Sequence, residues 1–310
     1  MRCPTLKELP PPPPQKTGWP WQEEAPEMQP KVSEATPWPR VSIITPSYNQ
    51  GQFIEETIRS VLLQGYPDLE YIIIDGGSTD ESLAIIKQYE PWLAYWVSEP
   101  DRGQSHAVNK GFAVASGDIV AWLNSDDQYL PDTLKTVAEH AHRYPQAGAW
   151  AGGGRRLDAK SRKIIWERMP PGLQFDEIVN WNEYYLPQPS CFLNRNVLRD
   201  EVYLNESYHL QMDFDLWLRI AKKFSIMPMR QILSVNLQHS KAKTVLQGLK
   251  HKAMAERWLI LSRYSSHDHV ANEIERYLDA HSSVIGNVVQ GILLRLRAKL
   301  SNPRSDDRSN

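Results

Sequence analysis

Residues 117–131 read Gly-Asp-Ile-Val-Ala-Trp-Leu-Asn-Ser-Asp-Asp-Gln-Tyr-Leu-Pro. The apolar run from Ile119 to Leu123 has the length of a buried strand. It stops abruptly at Asn124, Ser125, Asp126 and Asp127. Carboxylates at the end of a buried strand are costly unless a cation meets them. Hard oxygen ligands suit Mg²⁺ or Mn²⁺, and such an ion carrying a diphosphate is a natural partner. Asn, Ser and Asp are also turn formers, so a plain acidic turn accounts for the same letters.

The flanking sequence gives that strand its neighbours. Residues 41–49, Val-Ser-Ile-Ile-Thr-Pro-Ser-Tyr-Asn, read as a strand that breaks at Pro46. Residues 70–80, Glu-Tyr-Ile-Ile-Ile-Asp-Gly-Gly-Ser-Thr-Asp, read as a second strand ending in Asp75. Between them Phe53, Ile54, Thr57, Ile58, Val61 and Leu62 recur at helical spacing, and Leu83, Ile85, Ile86 and Tyr89 begin another helix. Strand, helix, strand predicts a parallel crossover and an α/β fold. Three strands then deliver polar residues at their carboxyl ends, the edge where open parallel sheets bind ligands.

Four ordered motifs make the pattern specific: Thr45-Pro-Ser-Tyr-Asn, Ile74-Asp-Gly-Gly-Ser-Thr-Asp, Asp101-Arg-Gly-Gln-Ser-His-Ala-Val-Asn-Lys-Gly, and Gly117-Asp followed by Asn124-Ser-Asp-Asp. In order and spacing the chain resembles a family 2 glycosyltransferase of the GT-A fold, strongly over residues 40–135 and more weakly over 136–245. The resemblance implies a Rossmann-like, mostly parallel sheet flanked by helices, an acceptor-side half, and inverting transfer from a nucleotide sugar. Two positions depart from the family pattern. The metal motif is usually Asp-x-Asp, whereas this chain has Asn124-Ser125-Asp126. An acidic pair, usually Glu-Asp, precedes the acceptor-side helix, whereas here Met212 stands before Asp213.

Glycosyl transfer must neutralise the departing diphosphate, deprotonate an acceptor hydroxyl and hold both in line across the anomeric carbon. Asp126 is the expected ligand of a divalent metal, Mn²⁺ or Mg²⁺, acting as a Lewis acid, and Asp127 is expected to orient the loop. His239, in Leu237-Gln-His-Ser-Lys, follows an expected strand and is either a second metal ligand or a surface-loop histidine. Asp213 matches the family's base, with Asp215 the alternative; an aspartate at a helix start is also an ordinary cap. The resemblance implies that Tyr48 stacks on the base, that Pro46 and Asn49 shape the pocket, and that Asp75 accepts from uracil N3–H. It further implies donor contacts from Arg102, Asn109, Lys110, Asn124 and Ser125. The donor expected is a UDP-sugar and the acceptor a saccharide or lipid-linked molecule, in cell-surface polysaccharide synthesis. A catalytically inactive sugar-nucleotide-binding protein and a nucleotidyltransferase are the alternatives. The second lacks its glycine-rich basic loop after the first strand, and the Gly-x-Gly-x-x-Gly of a dinucleotide enzyme is absent there too.

A net charge of -2 in 310 residues gives no pull toward nucleic acid. Two cysteines, Cys3 and Cys191, suggest no disulfide and a reducing compartment. With no secretory leader and no apolar run near the ~20 residues of a membrane span, the expected location is the cytoplasm. Residues 1–39 form a Pro-rich arm, Pro10 to Pro14 and onward, with Trp19, Trp21 and Trp38 as anchors on the domain; recruiting a PPII-binding partner is the other use of such a run. The expected transferase domain covers 40–245, divided at 135. Gly152-Gly-Gly-Arg-Arg fits a turn or a close backbone approach better than a phosphate loop. Residues 246–300 are an expected helical extension and 301–310 a disordered tail. Within the extension, the stripe at 284, 285, 288, 289, 292 and 293, ending in basic residues, suits either a packed helix or peripheral contact with the inner face of a membrane.

Overall fold

The computed structural model describes residues 3–29, 31–33, 36–181, 186–240, 242 and 247–280. After a short antiparallel pair, β1 (Lys31–Ser33) and β2 (Thr36–Pro37), the sheet begins with β3 (Val41–Ser47). All seven residues of β3 are buried, as expected of a strand covered on both faces. Its backbone alternates: Ile44 O accepts from Leu123 N, and Ser47 O from Gly76 N. Pro46 shares the parity of Ile44 and faces the side where the neighbouring strand has already ended. Its missing N–H therefore breaks no ladder bond.

α1 (Ile54–Leu62) buries Ile54, Ile58, Val61 and Leu62. β4 (Leu69–Asp75) runs parallel to β3, and α2 (Ser82–Tyr89) leads to the edge strand β5 (Tyr95–Ser98). α3 (Gln104–Val114) lies close on β3; a Cβ at Gly111 would collide with the Ile44 side chain. β6 (Ile119–Trp122) completes the parallel half against β3.

The second half is mixed. β7 (Asp127–Tyr129), α4 (Thr133–Arg143), β8 (Ala149–Asp158), β9 (Ile164–Arg168) and α5 (Phe175–Val179) precede β10 (Cys191–Asn194), which runs antiparallel to both β6 and β8. α6 (Arg195–Leu198) and α7 (Met212–Lys223) lead into β11 (Ile226–Gln238), parallel to β8 and antiparallel to β7. The order is β5-β4-β3-β6-β10-β8-β11-β7, with β9 on β8. The triple glycine lies within β8, where added Cβ atoms would strike Leu233, the Arg168 carbonyl and Pro187. This is close approach of neighbouring chain on every side.

The chain divides into two compact units, Met1–Glu256 and Arg257–Asn310, the division falling inside α8 (Gln247–Tyr264). In the second unit α9 (His267–Ala280) follows α8; Trp258 and Tyr277 meet edge to face, and Glu273 takes Arg257 and Arg276. The helical stripe at 284–300 and the tail at 301–310 lie outside the described residues.

The proline-rich arm lies on the first unit, held by Arg59. This fully buried guanidinium donates to the carbonyls of Pro10, Pro20 and Trp21 and to the Tyr89 hydroxyl, and sits 5.2 Å from the Trp21 ring. Trp19 Nε1 donates to Tyr129 O, and Ala25 N and Met28 N donate to the carbonyls of Leu63 and Gly65. Gly65 has φ +61°, and a Cβ there would collide with the Pro26 carbonyl. Arg59→Ala would leave buried carbonyls without donors and open a cavity. We expect a loss of about 3–5 kcal/mol in urea unfolding and rapid proteolysis within residues 3–29; a loss under about 1 kcal/mol would show that Arg59 does not hold the arm.

Candidate functional site

β6 is central, and its four residues are buried. The chain leaves it at Leu123 and turns at once, with Asp127 N donating to Asn124 O. Asp127 is fully buried. Its carboxylate accepts from Asn124 Nδ2 at 3.0 Å and Asn236 Nδ2 at 2.7 Å, and its carbonyl from Thr57 Oγ1 at 2.7 Å. Burial, and then the adjacent Asp126 charge, push the Asp127 carboxyl well above the usual carboxylate range. Asn124 also accepts from Gln104 Nε2 and donates to Gln188 Oε1, and Gln188 Nε2 returns to Trp122 O. The amide at 124 is therefore a donor to one carboxylate and one amide oxygen. An aspartate there has no N–H to give the Asp127 carboxyl or Gln188 Oε1 and would set its charge beside that of Asp126. Ser125 is buried in the turn.

Asp126 is half-buried, its side chain 21% exposed. Its Oδ2 lies 2.9 Å from His239 Nε2. His239 follows β11, and its ring centroid is 4.4 Å from that of Phe53. The other ring nitrogen, Nδ1, is buried without a hydrogen-bond partner among the described residues. The sequence left His239 open between a ligand and a surface histidine; its side chain is only 8% exposed and lies on Asp126. Among the described residues no group of three or more His, Cys, Asp or Glu could form a metal cage. The pair does fit an ion that brings most of its own ligands. Two cis ligands at ~2.1 Å from one ion lie about 3 Å apart, close to the separation observed here. Mg²⁺-type sites commonly use one or two protein groups plus substrate phosphates.

At the carboxyl ends of β3 and β4, Tyr48 is 62% exposed and is no part of the core. Asn49 adopts φ 52°; its N–H donates to Ser78 Oγ and its Oδ1 accepts from Thr79 N, pinning the 76–80 loop. Asp75 is fully buried and accepts from Gly77 N, Ser78 N, Ser78 Oγ and Ser98 Oγ. In this arrangement its carboxylate serves the loop and has no exposed surface to offer a base. Pro46 is likewise buried, two residues before Tyr48 in the chain.

The side chains expected to contact the donor on the 101–111 segment also have partners within the fold. Arg102 pairs with Glu206 at 2.7 Å. Asn109 donates to Leu204 O and Glu206 and accepts from Leu204 N. Lys110 pairs with Glu99. With Ser105 Oγ donating to Tyr208 O, Asn109 ties α3 to the 204–208 segment, and Arg102 joins that segment from just before the helix. The physical reason is local charge: Glu99 and Glu206 lie within reach of three cationic or amide groups, a pairing that spacing does not reveal.

That tie positions the start of α7. Trp217 of α7 stacks on Trp122 of β6, centroids 6.1 Å apart and 10° from parallel. Asp213, at the first turn of α7, is half-buried and accepts from Phe214 N. Its pKa is raised from 3.8 to about 6, by burial first and then, against the Phe214 N–H, by the charge of Glu256. Glu256 itself accepts from His209 N, Leu210 N and Gln211 N, the chain entering α7. Asp215 occupies a different setting. It is buried and paired with Arg219 at 3.0 Å, and Arg219 also holds the carbonyls of Glu201 and Tyr203. Asp215 thus accepts from Arg219 Nε, and the other guanidinium nitrogens of Arg219 hold the 201–203 turn.

Sequence reading missed Gln104, Gln188, Asn236 and Glu256. Gln104 lay inside a quoted motif. The other three come from distant segments and carry no local signature.

The raised Asp213 pKa has a stability consequence. Below about pH 4 the group is protonated in both folded and unfolded chains, so its charge costs nothing. As pH rises toward 6 the unfolded chain ionises first, and above 6 the folded chain carries the full penalty. Asp213→Asn should therefore match the parent near pH 4 and exceed it by about 2 °C or more in Tm above pH 7. A pH-independent difference would contradict the raised value.

Comparison with known proteins gives the same picture from another direction. A family model described as "Glycosyl transferase family 2" matches residues 42–201. An uncharacterised glycosyltransferase of Mycobacterium tuberculosis is 41% identical over 122 residues, 38% of this chain and 47% of that protein. The putative teichuronic acid biosynthesis glycosyltransferase TuaG of Bacillus subtilis is 43% identical over 108 residues, 34% of this chain and 43% of TuaG. The chain thus matches less than half the length of either. Among solved structures, S. aureus TarS in complex with UDP-GlcNAc has a TM-score of 0.55 at 19% identity, covering 79% of this chain and 73% of that one. Mannosyltransferase PcManGT from Pyrobaculum calidifontis, in complex with GDP-Man and Mn²⁺, has a TM-score of 0.50 at 20% identity, covering 86% and 84%. At such identities the likeness shows the α/β fold these chains share.

Proposed function

The chain belongs to glycosyl transferase family 2, and from that premise we propose that it moves a sugar from a UDP-sugar to a saccharide or lipid-linked acceptor, with inversion, in cell-surface polysaccharide synthesis. The observation that carries the reading is the Asp126–His239 pair at the carboxyl end of β6, 2.9 Å apart. Asp126 and His239 would hold the divalent ion. When bound, Mn²⁺ or Mg²⁺ supplies Lewis-acid stabilisation of the leaving diphosphate.

The chain's own groups do the rest. Asp127, Asn124 and Gln188 keep Asp126 from moving as charge builds on the leaving group. Tyr48, exposed beside the site, offers a face for the nucleobase. Asp75 supports the nucleobase pocket from beneath, by fixing the backbone of Gly77 and Ser78. Asp213 accepts the acceptor's proton from the face opposite the leaving group, and this geometry inverts the anomeric centre. A base near 6 is ionised at neutral pH yet basic enough to take a proton. The engaged amide at Asn124 and the retained Asp213 support an enzyme over an inactive binding protein. TuaG by its name belongs to teichuronic acid biosynthesis, which supports the polysaccharide assignment.

Asp126→Ala should lower Mn²⁺-dependent donor hydrolysis more than tenfold, about 1.4 kcal/mol of barrier, with Tm within a few degrees of the parent. Retained activity would remove Asp126 from the role. Transfer by the parent should rise through pH ~6 to a plateau, and Asp213→Asn should bind donor normally and transfer nothing.

The donor is tested by calorimetry with UDP, CDP and GDP in Mn²⁺. UDP should bind tightest, and Tyr48→Ala should weaken it by about 1–3 kcal/mol. Tyr48 is the cleaner probe, because Asp75 also holds its loop. Equal or tighter GDP binding overturns the uridine assignment and leaves the transferase reading standing.

A further inference from the structure

α7 starts without a cap from its own sequence: Gln211, the residue before Met212, makes no side-chain capping bond. A carboxylate from another part of the chain takes that place. Glu256 of α8 accepts from His209 N, Leu210 N and Gln211 N, its Oε2 lying 2.8 Å from Leu210 N and 3.0 Å from Gln211 N. Successive N–H groups converging in this way form an anion-binding concavity, and bonds to a carboxylate are among the stronger hydrogen bonds. Glu256 is the last residue of the first compact unit, so the contact lies within that unit. α3 holds the stretch just before, through Asn109 on Leu204 and Ser105 Oγ on Tyr208 O. Residues 204–211 are therefore strung between α3 and α8.

Asp213 comes two residues after the last of these N–H groups. Among the described residues its carboxylate is held by its own helix alone, through Phe214 N at 2.8 Å. Met212 beside it is buried and apolar. The place of the Asp213 oxygens therefore follows from the backbone that enters α7. The groups around Asp213 leave Glu256 as its charged neighbour. Cys191 of β10 is a buried thiol, pushed up by burial first and then by the Asp213 charge, so it stays neutral. Asp215 of α7 is paired with Arg219. The Glu256 charge opposes ionisation of Asp213. One side chain thus fixes the backbone beneath the base and makes the base harder to ionise. A group needed only to cap α7 requires the first effect and not the second.

We propose that Glu256 is a positioning residue for sugar transfer: it holds the backbone at 209–211 so that the Asp213 carboxylate meets the acceptor hydroxyl. α8 thereby belongs to the catalytic apparatus, although it lies outside the matched residues 42–201. The proposal rests on the reading of Asp213 as the base.

The test compares two variants of the full chain. Glu256→Ala removes both the acceptor oxygens and the charge, whereas Glu256→Gln keeps an acceptor oxygen and removes the charge. Steady-state transfer is measured against pH, and hydrogen exchange is followed at the Leu210 and Gln211 amides. Glu256→Ala should lower kcat about tenfold or more with the donor KM within about twofold, and its two amides should exchange faster. Glu256→Gln should restore slow exchange and most of kcat above about pH 7, while the rising limb of its kcat profile moves below pH ~6. A merely structural cap would not move that limb. Should Glu256→Ala not fold, Glu256→Asp, one methylene shorter, takes its place with the same expectation of lower kcat and faster exchange. Parent-like kcat in the alanine variant despite faster exchange overturns the proposal, as does unchanged exchange, or a Glu256→Gln limb that stays in place. None of these results touches the assignment of the base, which Asp213→Asn reads separately. An active Asp213→Asn removes the base and this proposal with it.

Discussion

The Asp127 carboxylate, buried at the exit of β6, is the constraint on which the site depends. A carboxyl group with no access to water must be met by donors or be costly. Asn124 and Asn236 meet it, one from its own turn and one from β11. The first closes the turn at the exit of β6, and the second ties that turn to β11. β11 ends two residues beyond Asn236, and the next residue is His239. Once Asp127 is clamped, Asp126 beside it and His239 at the strand end are brought face to face. The ligands are on a rigid strand exit and a strand terminus, which is how precise polar geometry is kept.

α1 secures the same turn from behind. Thr57 Oγ1 donates to Asp127 O and Ser60 Oγ accepts from Tyr129 N, so one face of the helix fixes β7. Arg59, between them in sequence, turns the other way and holds the proline-rich arm. The arm returns to the same strand through Trp19, which donates to Tyr129 O. An extended, donor-poor segment thereby becomes part of the frame around β7, contributing carbonyls that a buried cation can use. On the acceptor side, Glu256 plays the comparable part, collecting three backbone N–H groups ahead of α7 while its charge raises Asp213.

What was legible in the sequence was what repeats locally. The runs read at 41–49, 70–75 and 119–123 correspond to β3, β4 and β6, and the spacing of Ile54, Ile58, Val61 and Leu62 to α1. The acidic turn at 124–127 was visible because polar residues at a buried strand end have few explanations. The partners of that turn were not visible. Gln188 and Asn236 reach it from far along the chain, and an isolated Gln or Asn in a loop or strand carries no periodic signal. The same limit explains Arg102, Asn109 and Lys110. Their place in a motif suggested donor contacts, and it gave no sign of the pairing with Glu206 and Glu99 in the folded chain. Asp213 and Asp215 look equivalent in sequence; only Arg219, one helical turn beyond Asp215, separates their roles.

The central claim is that the clamped turn presents Asp126 and His239 together to one metal ion carrying a nucleoside diphosphate. Anomalous diffraction from crystals of the protein grown with Mn²⁺ and UDP tests it most directly. A manganese peak between the Asp126 carboxylate and His239 Nε2, contacting the diphosphate, is the predicted result. A peak ligated elsewhere, with Asp126 still hydrogen-bonded to His239, would contradict it.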